Sequence, residues 1–180
     1  MRIGPRLILF TAVAIVAVVA LVVWWNGRDE GSLAIPSVLP NASAGPATLL
    51  AVGDVASCDT GADEAVADLA SRLRGTIALL GDTVYDEGTA AEYRNCFDPA
   101  WGPMRPRIRP AVGNHEYETD GASGYFDYFG AAAGERSEGW YSYDLGAWHV
   151  VVLNSICELV DCSADSPQLM WLRADLAAHP

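Results

Sequence analysis

Apolar side chains dominate the chain first between Leu7 and Trp25, a run of 19 residues in which Thr11 is the only polar one. As a helix rising about 1.5 Å per residue it would extend about 28 Å, close to the roughly 30 Å hydrocarbon core of a bilayer. Trp24 and Trp25 would lie at the interface, and Arg2 and Arg6 on the short side keep the N-terminus cytoplasmic by the positive-inside rule. Residues 1–25 are therefore expected to form a cytoplasmic stub and a single-pass transmembrane anchor, with everything after it outside the cytoplasm. Secretion after signal cleavage is the alternative. It fits less well, because a signal peptide has an apolar region of about 7 to 15 residues closely followed by small residues, whereas Asn26-Gly27-Arg28-Asp29-Glu30 follows here. Residues 26–46 carry Pro36, Pro40, Pro46, Gly27, Gly31 and Gly45 without apolar periodicity and read as a tether.

From Ala47 the pattern becomes short apolar runs separated by helical or turn-rich segments, the alternation of an α/β layer fold. Thr48–Val52 predicts a strand, Val66, Leu69, Ala70 and Leu73 fall at helical spacing, and Thr76–Leu80 predicts a second strand, so the three form a βαβ unit with parallel strands. Ile108–Val112 predicts a third strand, with Pro110 inside it unable to donate to a central ladder. Tyr141–Leu145 and His149–Leu153 surround Gly146 and predict a hairpin that extends the sheet. Ser166 to Ala178 reads as a helix with Ser166 as its cap and Pro167 at its first position.

The three predicted strands share an ending. Gly53-Asp54, Gly81-Asp82 and Gly113-Asn114 each place a glycine and then a short oxygen-bearing side chain at a strand's carboxyl end. In open α/β sheets ligands bind there, because glycine permits the sharp turn and the next side chain points into the crevice. Two carboxylates and a carboxamide converging on one cavity need a positive partner, and a metal ion is the economical one. Tyr85 and His115 add a phenol and an imidazole to the same rim, a donor set suited to iron, manganese or zinc.

Composition narrows the partners. Hydrophobic residues at 51% and charged residues at 19% exclude a disordered chain. A net charge of −12 is the opposite of what a phosphate-backbone binder needs, so no nucleic-acid binding is expected. The four cysteines, Cys58, Cys96, Cys157 and Cys162, suit an exported domain with disulfides. Cys157 and Cys162 bracket a small loop, which leaves Cys58 with Cys96, although four cysteines allow three connectivities. A zinc knuckle competes weakly, because no CxxC spacing occurs and no histidine lies near a cysteine in sequence.

Gly81-Asp82-Thr83-Val84-Tyr85 resembles the GDxxY motif, and Gly113-Asn114-His115-Glu116 the GNH(D/E) motif, of the calcineurin-type metallophosphoesterases, within them the purple acid phosphatase-like branch. Gly53-Asp54 sits where the first aspartate motif belongs, although Ala56 stands where that motif commonly has glycine. Trp148 to Ser155 and Gln168 to Leu172 are similar to the family's middle strand and the helix after it. The resemblance covers about residues 47–180. It implies a four-layer sandwich of βαβ units around mixed sheets. It also implies that Asp54 and Tyr85 bind a first metal, Asp82 bridges two metals, Asn114 binds the second, and Asn114 and His115 meet the phosphate. Two ions about 3.5 to 4 Å apart would acidify a shared water for in-line attack on phosphorus. His115 would hydrogen-bond a phosphate oxygen or protonate the departing alkoxide.

The family's later VxxH-like and GHxH-like segments are not found, and the chain is expected to be the N-terminal part of a truncated domain. His149 reads as a packed or partly exposed structural histidine and His179 as solvent-exposed. Arg105, Arg107 and Arg109 would share one solvated face if extended, and Gly124–Phe129 reads as aromatic core rather than site rim. Two functions from different classes follow: a membrane-anchored, exported phosphomonoesterase using two metal ions, or a catalytically incomplete metal- or phosphate-binding module.

Overall fold

The computed structural model describes residues 47–136 and 138–179, so the expected anchor and tether lie outside the described residues. The chain runs through β1 (Leu49–Val52), β2 (Ala56–Ser57), α1 (Ala62–Arg72), β3 (Thr76–Leu80), β4 (Val84–Tyr85) and α2 (Ala90–Glu92). A π-helical stretch, Tyr93–Phe97, leads into α3 (Asp98–Trp101), a 3-10 helix Gly102–Arg107 and β5 (Ile108–Ala111). A 3-10 turn His115–Glu118, α4 (Ser123–Phe129), β6 (Tyr141–Leu145), β7 (Trp148–Val152) and α5 (Pro167–Ala178) complete it. Among the described residues no helix is long and apolar enough to cross a membrane.

The fold is α/β. β1, β3 and β5 form a parallel sheet with β3 in the middle, its Ile77 aligned with Leu50 on one side and its Leu79 with Pro110 on the other. β3 is therefore buried along Ile77, Ala78 and Leu79, as a central parallel strand must be. Past the glycine turns, β2 and β4 pair in parallel, with the Val55 N–H donating to the Asp82 carbonyl at 2.9 Å. All three strand ends that carry Asp54, Asp82 and Asn114 thus leave the sheet on the same side.

Pro110 sits on the outer edge of β5, where a missing N–H costs nothing. Its carbonyl accepts the Tyr125 hydroxyl at 3.0 Å and the Tyr141 hydroxyl at 2.9 Å. That corrects one expectation. β6 and β7 form their own antiparallel sheet, with Tyr143 opposite Val150, and do not extend the parallel one. Two phenols occupy the edge carbonyl, and proline offers no donor beside it, so this edge supports no ladder there.

The first helix turns only part of its expected face to the core, Ala70 alone of the four spaced residues being buried. Val66, Leu69 and Leu73 are exposed, while Ala67 and Ala70 are buried, together with Asp63. Small alanines let the helix approach closely, and the leucine stripe finds no cover among the described residues. The arginine triplet is likewise not extended, because Arg105 and Arg107 lie in the 3-10 helix. Arg107 instead closes the end of α1, donating to the carbonyls of Ala70 at 2.5 Å and Leu73 at 2.6 Å, where cations complement a helix C-terminus.

Tyr93, Phe97, Trp101, Tyr125, Phe126 and Phe129 build the aromatic core, with rings meeting edge to face, as Tyr93 and Phe129 do at 5.8 Å. α5 begins as expected, the Ser166 hydroxyl accepting the Leu169 N–H at 3.2 Å. The cysteines form Cys58–Cys96 and Cys157–Cys162, Cα atoms 5.1 and 5.4 Å apart, which overturns the zinc-knuckle alternative because disulfide sulfurs offer no thiolate.

Candidate metal centre

Asp54 and Asp82 follow glycines at the ends of β1 and β3, and both stand in left-handed backbone, φ 51° and 47°. That conformation costs an L-residue roughly 1–2 kcal/mol, although aspartate tolerates it better than most. Such outliers persist where the surrounding structure holds them, commonly at functional sites. Here they bring the two carboxylates to one phenol. Tyr85 Oη donates to Asp54 Oδ1 at 2.5 Å and approaches Asp82 Oδ2 at 3.2 Å.

Tyr85 belongs to β4, and its pairing opposite Ser57 of β2 fixes the ring between the two strand ends. Burial holds the phenol above its ordinary pKa, helped by the bond to Asp54 and the charges of Asp82 and Asp54. One phenolic proton thus stands between two carboxylates. Three oxygens gathered around a single positive centre are a hard donor set, and they fit a metal ion that would take the proton's place.

The other oxygen of Asp82 faces the β5 side. Its Oδ1 accepts the backbone N–H of His115 at 3.2 Å. The His115 Nδ1–H donates to the Asp86 carbonyl at 2.5 Å, which leaves Nε2 as the nitrogen available to a ligand. The ring lies 4.4 Å from that of Tyr85. The Asp86 carbonyl raises the imidazole pKa most, burial opposes it, and the charges of Asp82, Glu116 and Glu118 add to the rise. Asn114 lies on the same loop and is exposed, its carbonyl accepting the Tyr117 N–H at 3.1 Å. Among the described residues no hydrogen bond ties its carboxamide to Asp54, Asp82 or Tyr85. The structure therefore brings Asp54, Asp82 and Tyr85 into direct contact, joins His115 through its backbone, and leaves Asn114 adjacent.

The residue that binds the strand ends together is Glu116, to which the sequence alone assigns no role. It is fully buried. Oε1 accepts the Thr83 N–H at 2.7 Å, the Thr83 hydroxyl at 3.0 Å and the Val84 N–H at 3.3 Å, while Oε2 accepts the Gly113 N–H at 2.7 Å. Burial raises its pKa, and these donors oppose the rise. Its signal in the sequence was the acidic position closing Gly113-Asn114-His115-Glu116.

The remaining histidines belong to a second cluster. His149 is paired through Nδ1 with Asp144 Oδ1 at 2.8 Å and through Nε2 with Asp175 Oδ2 at 2.7 Å, as a structural histidine would be. His179, although 40% exposed, stacks on it with ring centroids 3.7 Å apart. No family model, curated protein or solved structure matches the chain.

Proposed function

We propose that this protein is a metal-dependent phosphoester hydrolase, an acid-phosphatase-like phosphomonoesterase with the four-layer sandwich of the metallophosphoesterases. The observation that carries the reading is the meeting of Asp54, Asp82 and Tyr85 at the ends of adjacent parallel strands, with both aspartates in left-handed backbone. Asp54 and Tyr85 would hold one metal ion and Asn114 a second, with Asp82 between them. One of its oxygens faces Tyr85 and the other the His115 loop. Iron, manganese or zinc there would acidify a water and neutralise phosphoryl charge. His115, fixed through Nδ1, turns Nε2 to the phosphate and donates a proton to the leaving oxygen, a task suited to its raised pKa. The two disulfides favour an oxidising compartment, in keeping with a domain exported and tethered to a membrane by Leu7–Trp25.

Hydrolysis of p-nitrophenyl phosphate by the full chain, with and without added Mn²⁺, Zn²⁺ or Fe, tests this. Asp82→Ala should reduce turnover at least about 100- to 1,000-fold, the range for removing a preorganised electrostatic group. Turnover unaffected by chelator or by Asp82→Ala sinks the reading. A second reading, a metal- or phosphate-binding module without turnover, rests on His149 and His179 being gathered with Asp144 and Asp175 in a separate cluster, which leaves His115 as the sole histidine beside Asp82 among the described residues. Metal uptake at Asp82 with no hydrolysis of any phosphomonoester would select it.

A further inference from the structure

We infer that Asp144, His149 and His179 form a second metal site, for a zinc-like divalent ion, independent of the Asp82 centre. β6 supplies Asp144, β7 supplies His149 and the end of α5 supplies His179, and one potential ligand atom from each lies within 4.8 Å of the other two. Residues up to 35 positions apart converge here only through the fold.

What distinguishes the cluster from a chance surface grouping is the support behind His149. Its Nε2 faces Asp175 Oδ2 at 2.7 Å, and the other oxygen of Asp175 accepts the Ser142 hydroxyl at 2.8 Å. Asp175 and His149 are only 10% and 16% exposed. A carboxylate on the far nitrogen of a ligating histidine fixes tautomer and ring orientation and strengthens the ligand, the arrangement metal sites use repeatedly. Here it leaves Nδ1 directed at Asp144 Oδ1, 2.8 Å away, so an ion enters between these two atoms as the Nδ1 proton leaves to solvent.

His179 completes the set. Its Nδ1 is held at 2.8 Å from the Asp175 carbonyl, which leaves Nε2 for the ion. The rings of His149 and His179 are stacked at an interplanar angle of 10°, so their lone pairs lie in near-parallel planes and do not converge on one ion as the rings stand. Ligation therefore requires the His179 ring to tilt about its terminal torsion, which has a broad, soft profile. Asp144 is 72% exposed, so water completes the coordination from the open side. Two imidazoles, one carboxylate and water suit Zn²⁺ in its three-ligand form. The ion would fasten the end of α5 to the hairpin.

The test is a titration of the metal-free full chain with Co²⁺, a spectroscopic stand-in for Zn²⁺, in an Asp54→Asn, Asp82→Asn background that silences the other centre. One equivalent should bind, with visible absorption of a four-coordinate site and release of one proton. Adding His149→Ala or His179→Ala should weaken binding at least about 100-fold, and Asp175→Asn about 10- to 100-fold with the absorption band retained. His179 is the decisive position, because its exposed ring can be removed without opening the core. Should the background variant fail to fold, wild-type chain must take up one equivalent more than His179→Ala. No uptake in the background variant, or equal uptake and affinity with and without His179, overturns the site and leaves the Asp82 centre untouched.

Discussion

Gly113 passes so close to Asp82 that a Cβ on it would meet Asp82 Oδ1 at 2.2 Å and the Asp82 backbone nitrogen at 2.3 Å. The second of these atoms is main chain and cannot swing aside. Gly113→Ala must therefore part the ends of β3 and β5 and displace the Asp82 carboxylate. A destabilisation of about 1–3 kcal/mol is expected, the usual cost of overpacking, with metal affinity at the Asp82 centre at least about tenfold lower. Thermal melting and metal titration of the variant check both, and an unchanged affinity would show that Asp82 does not hold the ion.

Glu116 makes the complementary prediction. Its two carboxylate oxygens face donors only, from Thr83 and Val84 on one side and Gly113 on the other. Glu116→Gln places an NH₂ group against one of those N–H groups and leaves both unsatisfied in a buried site. The expected loss is about 1–3 kcal/mol, the penalty for a buried unpaired polar group. Urea denaturation at neutral pH measures it directly, and a change below about 0.5 kcal/mol, the spread of ordinary surface substitutions, would contradict it.

The strand ends of the candidate site were legible because β1, β3 and β5 each close an apolar run with glycine and a short polar residue, a local signal. Glu116 was not, because sequence shows a charge without showing its burial, and its partner Thr83 lies 33 positions away. Helical spacing in α1 points to Val66, Leu69, Ala70 and Leu73, but of these only Ala70 is buried, and the packed face pairs it with Ala67. Periodicity weighs hydrophobicity, whereas close helix approach favours small side chains. The hairpin around Gly146 was readable from its alternation, but its failure to join the sheet depends on Tyr125 and Tyr141 reaching Pro110. Likewise the partner of His149 at Asp175 is 26 positions distant, beyond any local pattern.

The two disulfides should contribute unequally. Cys58–Cys96 closes a loop of sequence separation 38 and Cys157–Cys162 one of 5, so chain-entropy arguments assign about 4 and about 2 kcal/mol respectively. Cys58–Cys96 also ties the end of β2 to the π-helical stretch beneath the aromatic core. Replacing Cys58 and Cys96 together by serine should lower stability by about twice as much as replacing Cys157 and Cys162 together. Denaturant unfolding of the two double variants decides this, and the reverse order would rule it out.

Glu92 links stability at low pH to the site. Its Oε1 accepts the backbone N–H of Asp86 at 2.6 Å, and its Oε2 accepts the Thr89 N–H at 2.7 Å and hydroxyl at 2.8 Å. The Asp86 carbonyl in turn holds His115. Burial raises the Glu92 carboxyl, but the donors of Thr89, Glu87 and Asp86 together outweigh it and leave its pKa below the ordinary value. The unfolded chain therefore binds the proton more tightly, and Glu92 stabilises the fold above the unfolded carboxylate pKa of about 4.3. That contribution is lost as pH falls through the lower folded value. Wild type should thus exceed Glu92→Gln in stability at neutral pH by a margin that shrinks on acidification through this window. Denaturant unfolding of both proteins from pH 7 to pH 3 gives the margin directly, and one that stays constant or grows towards low pH would exclude the assignment. The same substitution frees the Asp86 loop, so the His115 imidazole should titrate closer to its ordinary value in the variant, as NMR of its ring protons would record.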